Sequence, residues 1–171
     1  LLENLALNQV TTVTTENLAL QDQEHTDFLY FHPAETGATS ARNNRGFAGT
    51  VREEVRATTL DRYCAKHALS PDLIKCDVEG GELSVIKGGL ETLRRSRPVV
   101  FLELLRKWSA NFGYHPNEVI GIMHDLGYRA WSIEAQGIRE CSGITDATVA
   151  TNFLFTCDGK HNALIQQLAR L

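Results

Sequence analysis

The chain has 171 residues, 43% of them hydrophobic and 22% charged, the make-up of one globular domain long enough to bury a core. Seventeen Lys and Arg against 21 Asp and Glu give a net charge of -4, and without a basic block this offers no electrostatic footprint for nucleic acid or an anionic membrane. No apolar run approaches the roughly 20 residues that span a bilayer. Cys64, Cys76, Cys141 and Cys157 show no CxxC spacing, so they read as reduced thiols of a cytoplasmic protein, with no disulfide framework and no zinc site.

Leu1, Leu2, Leu5 and Ala6 recur at helical spacing and predict a helix over residues 1–8. A chain that begins inside an element, with Leu in place of Met, reads as a fragment with sequence missing upstream. The six β-branched residues Val10 to Thr15 disfavour helix, and they predict a strand running on to Leu20. Residues 27–32 form a second, aromatic-rich strand stopped by Pro33. Residues 33–50, rich in Gly, Ser and Asn, read as the longest loop, and 50–58 alternates as a strand pairing back onto 27–32 with that loop at the tip.

Beyond this hairpin the pattern becomes helix and strand in alternation. Thr59 or Asp61 caps a helix to Ala68, residues 73–77 read as a short buried strand, and 79–95 as one helix striped by Leu83, Ile86, Leu90 and Leu93. Residues 99–104 are apolar enough for a strand covered on both faces. A helix over 116–126 closed by Gly127, strands over 128–133 and 152–156, and a last amphipathic helix carrying Leu164, Ile165 and Leu168 complete the chain. The alternation predicts α/β architecture on a mostly parallel sheet, in one domain or the larger part of one.

In an open α/β sheet, ligands bind beyond the carboxyl ends of the strands. That rule singles out Ala19, Leu20 and Asp22, then Asp77, then Glu103. Asp77-Val78-Glu79-Gly80-Gly81-Glu82 puts three carboxylates in six residues where a strand turns into a helix. Acids in a first helical turn favour the helix dipole by ~0.3–1 kcal/mol each, and this structural account is preferred for Glu82. For Asp77, which ends a buried strand at the ligand-binding end, a role in substrate or metal contact is preferred. Glu103 interrupts an apolar strand and needs a partner. Either Arg106 or a backbone amide pairs with it, or it joins Asp77 at the pocket. The histidines show no HxH or HExxH spacing; His32, beside the long loop, is a weak candidate base, and Trp108, Phe112, Tyr114 and His115 serve equally as substrate surface or as core. No GxGxxG, GxxxxGK[ST] or GxSxG occurs, and Gly88-Gly89 reads as close packing.

Thr59-Leu60-Asp61, the run from Leu73 to Glu82, and Val99-Val100-Phe101-Leu102-Glu103-Leu104 resemble the FkbM family of S-adenosylmethionine-dependent methyltransferases. Leu2 to Asn8, Asn17-Leu18-Ala19-Leu20 and Asn152-Phe153-Leu154-Phe155 are similar to the family as well. The resemblance implies a class I methyltransferase, Rossmann-like sheet of order 3-2-1-4-5-7-6 with an antiparallel seventh strand. Residues 10–20, 73–77, 99–104, 129–133 and 152–156 would then be strands 3 to 7, with a β-hairpin inserted over about 27–58. Strands 1 and 2, with the glycine-rich cofactor loop and the ribose-gripping acid, would lie upstream, so that residues 1–171 form the C-terminal part of a single methyltransferase domain.

The resemblance further implies S-adenosylmethionine as cofactor, with Asn17, Ala19 and Leu20 on its adenine side. It also implies O-methylation of a sugar or natural-product hydroxyl, the acceptor being a small molecule or glycan. Asp77 would orient or deprotonate that hydroxyl, assisted by Glu79 or Glu103. A non-catalytic domain that keeps the fold as a binding or scaffolding module is the alternative, and a metal-dependent hydrolase built on Asp77, Glu79 and Glu82 ranks below both for want of clustered histidines. No metal ligand is assigned, and whether a metal is used at Asp77 is open, as is the oligomeric state.

Overall fold

The computed structural model describes residues 1–169 apart from Arg45 and Phe47, and of residues 35–38 the backbone only. In chain order the elements are α1 (Leu2–Leu7), β1 (Leu18–Leu20), β2 (His25–His32), β3 (Glu35–Ser40), β4 (Val51–Thr58), α2 (Leu60–Lys66), β5 (Leu73–Cys76), α3 (Glu82–Lys87), α4 (Leu90–Ser96) and β6 (Val99–Glu103). They continue with α5 (Arg106–Ser109) and a 3-10 turn (Ala110–Phe112), then α6 (Asn117–Asp125), β7 (Tyr128–Glu134), β8 (Gly137–Cys141), β9 (Asn152–Cys157) and α7 (Asn162–Leu168).

The strands form two mixed sheets, of order β1-β4-β2-β3 and β5-β6-β9-β7-β8. Among the described residues only β1 with β4 and β5 with β6 pair in parallel; the other pairings are antiparallel. The expected single, mostly parallel sheet is therefore corrected. Antiparallel pairing follows from connectivity: β2 returns to β4 as the expected hairpin, Asp27 opposite Val55, and β9 inserts between β6 and β7 with Phe101 opposite Leu154.

Four further expectations change. Residues 10–17 take no regular structure, and Val13 is 52% exposed; a β-branched run becomes a strand only where a neighbour pairs with it, since β-propensity is largely packing. The 33–50 loop contains β3, which pairs with β2, while Arg45 and Phe47 lie outside the described residues. Leu73 on β5 is 63% exposed, because β5 is an edge strand paired only with β6 among the described residues. The single helix over 79–95 is two, α3 and α4, broken at Gly88-Gly89. A Cβ on Gly88 would lie 2.0 Å from the Gln21 carbonyl oxygen, and one on Gly89 2.8 Å from Leu60 Cδ2. The glycine pair thus lets the turn after β1 and the start of α2 close onto the helices.

Local chemistry fixes the neighbouring ends. Thr59 caps α2 by accepting from the Arg62 amide at 3.1 Å. The Asp61 carboxylate reaches across to α4 and accepts from the amides of Glu91 (3.0 Å) and Thr92 (2.7 Å). The core lies between β6, β9 and β7 and helices α3, α4 and α6, where Val100, Leu102, Phe153, Phe155, Leu93 and Met123 are buried. Each such side chain contributes roughly 1.5–3 kcal/mol by leaving water. This core holds the end of β5, and the turn that follows it, in place.

Candidate functional site

β5 delivers Asp77 at its carboxyl end, and the chain then turns sharply. Glu79 is left-handed at φ 53°, Gly80 sits at φ 107°, and α3 starts at Glu82. Gly80 cannot be replaced without displacement, because an added Cβ would come within 2.8 Å of the Trp108 carbonyl oxygen and 2.9 Å of the Phe112 ring. The backbone there also favours glycine.

Glu82 is what holds the turn. It is 1% exposed, and its Oε1 accepts from the amides of Val78 (3.2 Å) and Gly80 (3.1 Å). The Tyr114 hydroxyl lies 3.2 Å from Oε2 and 2.9 Å from the Gly80 carbonyl oxygen, and accepts from the Leu83 amide at 3.4 Å. Burial pushes the Glu82 carboxyl above its ordinary value, against the backbone amides of Glu82, Gly80 and Val78, which favour the charged form. The structural role preferred for Glu82 from sequence matches this geometry.

Around Asp77 the charges are arranged unevenly. Lys75 Nζ lies 2.9 Å from Asp77 Oδ2. The hydrogen bond to that carboxylate holds the Lys75 ammonium above its ordinary value. Glu103, on the neighbouring strand, is pushed up to about 6, first by desolvation and then by the charge of Asp77 and a hydrogen bond with it, Glu79 and Glu82 adding to the effect. Glu103 therefore holds on to its proton into the weakly acidic range.

The hairpin contributes the far side. Ser40 Oγ donates to the Glu79 carbonyl oxygen at 3.1 Å, and Asn44 Nδ2 donates to the same oxygen at 2.5 Å. Asn111 Nδ2 in turn donates to Asn44 Oδ1 at 3.0 Å. The end of β3 and its following loop are thereby latched onto the turn that carries Asp77.

Between these elements lies a cavity of about 980 Å³, lined by residues 18–22 of β1 and its turn, Asp27, Leu29 and Tyr30 of β2, and residues 39–43 of the hairpin. Gln23, His25, Leu60, residues 74–78, Gly81, Ser84, Val85 and Phe112 complete its wall. Of the residues singled out from sequence, the structure brings Ala19, Leu20 and Asp77 together on this wall. Glu103 adjoins it through Asp77, and Glu79 lies in the turn just behind. Asn17 precedes β1 and lines a separate depression with Tyr63 and His67.

Phe112 joins the wall, whereas Tyr114 is engaged with Glu82. His115 Nδ1 accepts from the Asn117 amide at the start of α6, and His32 Nδ1 accepts from the Ala34 amide. Sequence reasoning passed over Ser40, Arg42, Asn44 and Ser84, polar residues with no motif; only the Gly- and Asn-rich character of 33–50 pointed to that loop. Among the described residues no three His, Cys, Asp or Glu side chains converge as a metal-ligand group. The four cysteines are free, and no helix among the described residues is long and apolar enough to cross a membrane.

Residues 1–130 match the family profile described as the methyltransferase FkbM domain. No curated protein and no solved structure shows significant similarity to the chain.

Proposed function

The chain belongs to the FkbM methyltransferase family, and from that premise we propose that it transfers a methyl group from S-adenosylmethionine to a hydroxyl oxygen of a sugar or other small natural-product acceptor. The observation that carries this reading is Asp77, at the carboxyl end of β5, on the wall of a cavity that Ala19 and Leu20 also line. The order β5-β6-β9-β7 with β9 antiparallel supports a class I, Rossmann-like assignment in which these are the fourth, fifth, seventh and sixth strands. β1 is then the third and β2 to β4 the insertion; the first two strands of that class have no counterpart among the described residues.

The cavity suits the cofactor. Its volume is in the range of small-molecule sites, and its wall pairs apolar Ala19, Leu20 and Val78 with polar Asp22, Asp77 and Ser84. Ala19 and Leu20 offer an apolar surface to the adenine, whereas Asn17, the third residue that the family resemblance assigns, faces the separate depression beside Tyr63 and His67. When bound, the cofactor supplies an electrophilic methyl group on a positively charged sulfur. Asp77 accepts a hydrogen bond from the acceptor hydroxyl and takes up its proton, a contribution of roughly 10²–10⁴ for a positioned base. Lys75 fixes the Asp77 carboxylate in place, Glu103 stands beside it on the neighbouring strand, and Glu79 shapes the turn. Holding hydroxyl and methyl in line supplies much of the remaining rate. With four free thiols and no spanning helix among the described residues, the reading is of a cytoplasmic enzyme.

Calorimetric titration of S-adenosylhomocysteine into the full-length protein tests the reading. Micromolar binding, with labelled methyl transfer to a hydroxylated acceptor panel that Asp77→Asn abolishes, is the expected result. Absence of binding would favour a scaffold that keeps the fold without its chemistry.

A further inference from the structure

Among the described residues, the cavity that holds Asp77 has one cation with no carboxylate partner. Its charged lining comprises Asp22, His25, Asp27, Arg42, Lys75 and Asp77. Lys75 pairs with Asp77 at 2.9 Å, His25 lies 3.6 Å from Asp27, and Asp22 Oδ1 accepts from Ser84 Oγ at 3.0 Å. Arg42 has no carboxylate within ion-pair distance among the described residues. Its guanidinium carbon stands 5.6 Å from the centroid of the Phe112 ring, a contact that orients a cation without neutralising it. That ring packs against Gly80, so Arg42 is placed beside the turn after Asp77.

The backbone of Arg42 is anchored as well. Its amide donates to Ser40 Oγ at 3.4 Å, and the buried Ser40 and Asn44 both hold the Glu79 carbonyl oxygen. A guanidinium presented by a latched loop, set over the Phe112 ring and without a carboxylate partner among the described residues, is suited to two parallel hydrogen bonds with a planar or tetrahedral oxyanion. A second cation would be better served by the acids of this wall, and a neutral acceptor has no use for an unbalanced Arg.

Resting on the methyl-transfer reading, we propose that the acceptor carries an anionic group, a carboxylate or a phosphate, and that Arg42 binds it while the hydroxyl to be methylated meets Asp77. Arg42 is then the specificity-determining residue of the site, supplied by the hairpin and not by the sheet.

The test uses the full-length protein saturated with S-adenosylhomocysteine and titrated with D-glucuronate, glucose 6-phosphate and glucose. At least one anionic sugar is expected to bind ten-fold or more tightly than glucose, the two anions telling carboxylate from phosphate. Arg42→Gln should erase that advantage, Arg42→Lys should keep part of it, and neither should change S-adenosylhomocysteine affinity more than two-fold. Equal binding of all three sugars, or an advantage that survives Arg42→Gln, overturns the proposal. So does a ten-fold loss of S-adenosylhomocysteine affinity in Arg42→Gln, which would assign the guanidinium to the cofactor's own carboxylate. If S-adenosylhomocysteine fails to bind while glucuronate or glucose 6-phosphate still binds through Arg42, the methyl-transfer reading falls and the anion site stands.

Discussion

Replacing Gly88 by Ala puts a methyl group where a backbone already is. The built Cβ falls 2.0 Å from the Gln21 carbonyl oxygen, 2.9 Å from its carbon and 3.3 Å from the Asp22 Cα. None of these atoms belongs to a side chain that could swing away. Ordinary contact begins near 3.4 Å, so the turn after β1 and the end of α3 must separate by more than an ångström. Overpacking of this kind costs about 1–3 kcal/mol and occasionally more. Gly88 has ordinary right-handed dihedrals, φ -75° and ψ -3°, so Ala gains back ~0.5–1 kcal/mol of backbone entropy. The net expectation is a loss of about 1–2 kcal/mol, or a fall in Tm of roughly 2–8 °C for a domain of this size. Gly121, inside α6 with nothing within 4 Å of its built Cβ, supplies the control: Gly121→Ala should gain ~0.5–1 kcal/mol. Thermal unfolding followed by circular dichroism reads both variants. Because residues 18–22 line the cavity, Gly88→Ala should also weaken S-adenosylhomocysteine binding, and Gly121→Ala should not. If Gly88→Ala were as stabilising as Gly121→Ala, the packing of the β1 turn against α3 would be refuted.

Removing the carboxylate in Glu82→Ala strands the amides of Val78 and Gly80, for an expected loss of about 2–5 kcal/mol in chemical denaturation; Glu82→Gln, which keeps an acceptor, should lose less than half of that. Gly80→Ala should cost about 2–4 kcal/mol from strain and overpacking together, and urea unfolding would show whether it exceeds Gly127→Ala, where φ is 83° but nothing lies within 4 Å. For Glu103, the folded-state pKa of about 6 lies above the ordinary 4.5, so the folded chain holds this proton more tightly. Its contribution is complete below pH 4.5 and lost as pH rises through 6. Glu103→Gln should therefore flatten the fall in stability over that window, by on the order of 1 kcal/mol or less once solvent screening is allowed for. Kinetically, Asp77→Asn should lower methyl transfer ~10²-fold or more, and Glu103→Gln should move the acid limb of the rate profile to lower pH.

What the sequence disclosed was local. The Thr59 cap, the β2–β4 hairpin, β5, β6, α6, β7 and β9 were all visible as caps, alternation or apolar runs, and Asp77 stood out because it ends a strand. What it concealed was pairing. Val10 to Thr15 looks like a strand in isolation, yet a strand exists only where another supplies hydrogen bonds. Leu73 to Cys76 looks buried because it is apolar, whereas which strands flank it decides exposure. The Gly88-Gly89 pair was correctly suspected of close packing, but the partner, Gln21, is 67 residues earlier and no local rule reaches it. β8 escaped notice although Gly137 after Ala135-Gln136 marks a hairpin turn. At the site, Asp77, Ala19 and Leu20 were legible through the rule about strand ends, whereas Arg42, Ser40 and Asn44 reach the turn only by folding back of a hairpin.

The Asp61 cap bears on the order in which the chain assembles. α4 is preceded by Gly89, which brings no side chain to its open amides, and the acceptor for Glu91 and Thr92 arrives from α2, 30 residues earlier. A seven-residue helix without a cap of its own is too short to persist alone. α4 therefore cannot nucleate ahead of its surroundings and consolidates only when α2 has docked. Changes within α4 should speed unfolding more than they slow folding, and a ribosome must release both helices before α4 is secure.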